Sequence, residues 1–155
     1  LATSQGSVVP PKGYRLPLEA DYIDEWQTFR KELPEPFVAR ADFNSDGLAD
    51  EAWLLPRLSG GFGLFAFMGS ADGGPRVARL AGATELKVQG WGIEVVTPGR
   101  YQTACGKGYW DCEAGEPEVL VLTAPAVSFA KFESSSSIFW WNDKAGRFTR
   151  TWISD

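Results

Sequence analysis

Five residues within a nine-residue stretch offer oxygen atoms at regular spacing: Asp42, Asn44, Asp46, Leu48 and Asp50. Side-chain oxygens fall at loop positions 1, 3, 5 and 9, and Gly47 at position 6 permits a sharp turn. Leu48 adds a backbone carbonyl. An oxygen-only donor set at this spacing suits calcium, which takes about six to eight hard oxygens and asks for neither nitrogen nor sulfur. Three carboxylates this close along the chain repel one another unless a cation sits among them. The alternative is an Asp/Asn/Gly-rich surface turn that binds nothing, since these residues favour turns for local reasons. Agreement of all four side-chain positions with the glycine favours the metal.

The loop departs from a helix-loop-helix calcium site in two ways. Position 12 is Trp53, not a bidentate Glu, and the flanks 37–41 and 51–55 alternate like strands. It resembles the strand-loop-strand calcium turn of FG-GAP or VCBS-type blades. That resemblance implies side-chain coordination of calcium by Asp42, Asn44, Asp46 and Asp50, with the ion pinning a hairpin. The motif occurs once and no other repeat is visible, which argues against a full propeller.

The second chemical feature is a cysteine pair. Cys105 and Cys112 enclose Gly106-Lys107-Gly108-Tyr109-Trp110-Asp111, and a disulfide there would close an eight-residue ring. Such a ring contributes about 2.5 kcal/mol on the chain-entropy model. Zinc would need more Cys or His, and the chain has no His at all. A disulfide and a calcium loop together suit an oxidising, calcium-rich compartment, periplasmic or otherwise exported. Tyr109 and Trp110, constrained at a loop tip beside Asp111 and Glu113, are the candidate partner-binding residues. The alternative is that both rings fold down over the core.

No catalytic residues are assigned, and the chain is read as a non-enzyme. Without histidine neither a Ser-His-Asp nor a Cys-His arrangement can form. No phosphate-binding or dinucleotide fingerprint occurs. A pair drawn from Glu113, Glu116 and Glu133 is the remaining candidate for carboxylate chemistry, and exposed loop positions account for all three.

Several elements must position these residues. Leu18, Tyr22, Trp26, Phe29 and Leu33 recur at helical spacing, which predicts a helix over 18–33 stopped by Pro34 and Pro36. Strands are expected at 37–43, 51–57, 62–68, 76–80, 85–88, 92–97, 119–123, 126–131, 137–142 and 147–153. The predicted fold class is α+β: one N-terminal helix packed on a curved, mostly antiparallel β-meander with a calcium-binding hairpin. Residues 1–12 read as a flexible tail and 13–155 as a single globular domain. A polar, Pro-containing start at Leu1 suggests a removed export signal, or a trimmed chain.

Composition narrows the class of partner. Hydrophobic residues form 44% of the 155, which is ample for a core, and the net charge of −5 carries no basic cluster for nucleic acid. No apolar run is long enough to span a membrane. The stretches Ala104–Cys112, 115–118, 131–134 and 152–155 resemble small bacterial exported proteins. Some of these are immunity proteins against secreted cell-wall-degrading toxins. That resemblance implies a protein partner, a basic cell-wall hydrolase, and transfers no inhibitory residue; the loop residues Tyr109, Trp110, Asp111 and Glu113 are the candidates to block it by their own chemistry and position. A carbohydrate- or peptidoglycan-binding module and a structural envelope protein are the alternatives.

Overall fold

Ten strands, all paired antiparallel, form across residues 8–155, the part of the chain that the computed structural model describes, and apolar runs such as 62–68 bury their length almost continuously. Of the expected tail, 1–7 lie outside the described residues, and Val8 is already buried in the main core. Strands β1 (Val38–Ala41), β2 (Asp50–Pro56), β3 (Phe62–Ser70) and β4 (Gly73–Ala83) form one sheet in simple order. A second sheet has the order β10 (Arg147–Ser154), β9 (Ser136–Asn142), β8 (Ala126–Lys131), β5 (Trp91–Val96). The short pair β6 (Gly99–Gln102) and β7 (Val119–Leu122) stands apart.

Rings join the two larger sheets. Phe62 of β3 lies 5.7 Å from Trp91 and 6.4 Å from Phe129, and Phe43 lies 6.2 Å from Phe148. Phe43, Leu54, Phe62 and Leu64 are at most 1% exposed. Each such side chain stabilises the fold by about 1.5–3 kcal/mol relative to exposure. A smaller cluster of Leu120, Leu122, Ala126 and Ile138 lies between β7 and the outer face of the second sheet.

The expected α+β class is overturned. The chain is 46% strand and 7% helical, with three antiparallel sheets. In place of a helix over 18–33 there is a 3-10 turn at Glu19–Asp21 and a five-residue helix, α1 (Asp24–Thr28). The cause is local. Arg15 clamps the Asp21 carboxylate through two nitrogens at 2.8 and 2.9 Å, and that carboxylate also accepts the Leu18 N–H at 2.7 Å. These bonds close a turn, after which Ile23 is extended and Asp24 sits at φ +51°. The apolar stripe survives without the helix. Tyr22 and Trp26 are buried beside Phe37, at ring distances of 6.1 and 5.5 Å, while Leu18 is 56% exposed.

The same segment fastens the two sheets. Trp26 donates its Nε1–H to the Trp91 carbonyl at 2.7 Å, and Gln89 donates to the Asp21 carbonyl at 3.0 Å. Phe29 stacks on Phe132 at 5.1 Å. The strand expected at 85–88 does not form, and Val88–Gly90 is instead a 3-10 turn leading into β5. Strand β6 had no counterpart among the predicted strands.

Candidate functional site

The oxygen-rich stretch is the connection between β1 and β2, and the chain turns there because it passes through left-handed conformations. Ser45 has φ +58° and Gly47 φ +84°. The turn aims backbone donors at the carboxylates. Asp42 accepts the N–H groups of Asp46 at 3.2 Å and Gly47 at 2.8 Å, and Asp46 accepts that of Leu48 at 2.9 Å. Asp50, at the start of β2, is 1% exposed and accepts Phe43 N–H at 2.9 Å and Gly69 N–H at 2.8 Å. Carboxylate oxygens of Asp42, Asp46 and Asp50 lie within 4.8 Å of one another.

A glycine supplied by β3 makes that arrangement close. A Cβ at Gly69 would stand 2.6 Å from the Ala49 carbonyl oxygen, so only glycine lets β3 pass near enough to donate to Asp50. This partner was missed in the sequence, where it lies nineteen residues from Asp50.

Electrostatically the cluster is unfavourable on its own. Burial pushes the Asp50 carboxyl above the ordinary aspartate range. The Gly69 and Phe43 N–H groups pull it down, and the Asp46 and Asp42 charges push it up again. Among the described residues, Asn44 Oδ1 is the buried side-chain polar atom without a hydrogen-bond partner. A buried acceptor with no donor costs about 1–3 kcal/mol, and here it stands at loop position 3, where a cation ligand is expected. Each carboxylate oxygen that accepts one N–H retains a lone pair for a metal. The donor set is all oxygen, and these residues fit a calcium ion. Trp53, at position 12, is buried and stacked on Phe37 at 5.7 Å, and it offers no ligand.

Cys105 and Cys112 form a disulfide, with Cα atoms 5.0 Å apart. Their sulfurs lie near the Glu116 carboxylate, but bonded to each other they provide no thiolate for a metal. Tyr109 is 54% exposed at the loop tip, and Asp111 and Glu113 are exposed beside it. Trp110 is half-buried, donating its Nε1–H to Glu116 at 3.1 Å, and Glu116 also accepts the Glu113 N–H at 3.0 Å. Those two bonds hold the Glu116 carboxyl below its usual range. The ring is anchored at its base: Lys107 donates to the Ile153 carbonyl at 2.9 Å, and buried Thr103 donates to the Pro117 carbonyl at 2.7 Å. Glu113 and Glu116 share this loop, whereas Glu133 occupies the β8–β9 turn at φ +58°.

No helix among the described residues is long and apolar enough to cross a membrane. Comparison with protein-family models, with curated proteins and with solved structures finds no match to this chain.

Proposed function

We propose that this chain is a calcium-stabilised, exported, non-enzymatic binding protein. The observation that carries the reading is the meeting of Asp42, Asp46 and Asp50 within 4.8 Å at a loop whose Asn44 oxygen is buried without a donor. Calcium would be held by those side chains and the Leu48 carbonyl, locking the β1–β2 connection against β3. The ion supplies charge neutralisation and rigidity. Export accords with the disulfide. Calorimetric titration of chelator-treated protein with calcium tests the metal: a single saturable site supports it, and absence of heat at millimolar calcium removes it.

The most specific form of this proposal is periplasmic immunity to a secreted toxin. Exposed Tyr109 with Asp111 and Glu113 forms an aromatic and acidic tip on a covalently closed loop, which suits the cleft of a basic cell-wall hydrolase. The purified protein should then inhibit such a hydrolase on isolated cell-wall sacculi, and Tyr109→Ala with Asp111→Asn should relieve the inhibition. Unchanged inhibition by that double variant would reject the tip as the interface.

A peptidoglycan-binding module is the second reading, favoured by a groove of about 320 Å³ between the 113–117 loop and β9–β10. Trp140, Thr149 and Thr151 line it opposite Glu116, an aromatic face beside hydroxyls and a carboxylate. Co-sedimentation with sacculi that is lost in Trp140→Ala would select this reading over toxin inhibition.

A further inference from the structure

A cleft of about 170 Å³ opens between β4, the metal loop and the β9–β10 hairpin. Its walls are mixed in a specific way. Trp141 and Phe148 are cross-strand partners whose rings meet edge to face at 5.4 Å, and Met68 adds a buried thioether. Asn44 brings an amide to the same lining. Arg76, the register partner of Met68, and Arg147 complete it, and both are exposed.

Two arginines and two aromatic rings meet in the lining of this cleft. Every ion pair among the described residues uses Arg15, Arg30, Arg40 or Lys87. Arg76 and Arg147, like Arg57, Arg79 and Arg100, have neither a carboxylate nor a side-chain hydrogen-bond partner among the described residues; what is particular to them is their place in an aromatic lining. Two unpaired guanidinium groups at an aromatic cleft are complementary to an anion with an apolar body. A volume of this order admits one ring, since an enclosed apolar cavity of about 150 Å³ accommodates benzene.

We propose that this cleft binds a small aryl carboxylate, its ring against Trp141, Phe148 and Met68 and its carboxylate at Arg76 and Arg147. The shared chemistry, one ring and one carboxylate, belongs equally to a free aryl acid and to a peptide ending in phenylalanine. Calcium on the neighbouring loop would offset the Asp42 and Asp46 charges, which otherwise oppose an incoming anion.

The test is a two-dimensional NMR titration of the intact chain, in calcium throughout, with phenylacetate, 2-phenylethanol and acetate as probes. Saturable movement of the Trp141 indole N–H by phenylacetate is expected, with the neutral alcohol and acetate each about tenfold weaker or more. Arg76→Ala and Arg147→Ala, both at exposed positions, should each weaken phenylacetate about five- to tenfold. Glycyl-phenylalanine separates the sources: tighter binding than phenylacetate assigns the site to a peptide terminus, and weaker binding to a free acid. The proposal is overturned if no saturable shift reaches Trp141, if 2-phenylethanol binds as tightly, or if Arg76→Ala and Arg147→Ala combined in one chain retain full affinity. Calcium titration without these probes scores the metal reading separately, so the two failures are distinguishable.

Discussion

Asp46 and Asp50 hold different parts of one loop. Asp46 is exposed and accepts a single N–H within the turn, whereas Asp50 is buried and ties the β1–β2 connection to β3 through Phe43 and Gly69. Asp46→Asn keeps an oxygen for the Leu48 N–H. Its stability in chelator should stay within about 0.5 kcal/mol of the parent, while calcium affinity falls about tenfold or more. Asp50→Ala leaves two backbone donors without an acceptor, and it should cost about 2–4 kcal/mol even in chelator. Urea unfolding with and without calcium checks both. The loop itself was legible because its donors lie within nine residues and obey a spacing rule. Gly69 was not, because the need for glycine there arises from a strand passing over Ala49, a contact invisible along the chain.

At the scale of elements, the 18–33 segment shows what periodicity measures. Spacings of three and four correctly marked Tyr22 and Trp26 as buried, but the backbone between them is broken by the Arg15–Asp21 clamp. Periodicity reports a face, and capture of one carboxylate decides the conformation. Asp21→Asn should therefore destabilise the chain by about 1–2 kcal/mol at neutral pH, a figure reduced for the 38% exposure of Arg15. The Arg15 hydrogen bond holds the Asp21 carboxyl below its ordinary value of 3.8. Its contribution is thus complete above that value and lost as pH falls through the lowered folded one. Thermal melts of parent and variant should converge as pH drops below 3.8, and divergence there would refute the assignment. The disulfide ring was legible because its two cysteines are the only ones in the chain. Replacing both with Ser should cost about 2–3 kcal/mol, read by the same unfolding experiment in calcium.

For the whole molecule, strand existence was mostly legible and strand partnership was not. The hairpins β2–β3 and β9–β10 follow from adjacent apolar runs and turn residues. The pairing of β5 with β8 does not, because β6, the disulfide loop and β7 intervene. The connection between β1 and β2 packs on both sheets, through Gly69 of one and Phe148 of the other. Calcium at that junction should therefore stabilise the chain globally. At about 100 times its dissociation constant the ion adds about 2.7 kcal/mol, or about 5–10 °C in Tm for this size. Differential scanning calorimetry in calcium against chelator measures it, and equal Tm values would mean that no ion is bound in the folded state.

The bracing of the two sheets by the N-terminal segment also sets an order of events. Trp26 and Phe29 leave the ribosome well before their partners, Trp91 in β5 and Phe132 in the β8–β9 turn. A chain emerging from its N-terminus thus carries Trp26 without its Trp91 acceptor for 65 residues, and Phe29 without Phe132 for more than a hundred. The β1–β4 sheet can assemble during that interval from contacts between consecutive strands. Tyr22 and Trp26 can reach Phe37 early, whereas the Phe29 ring has to wait for Phe132 and stands uncovered on that side in the interim.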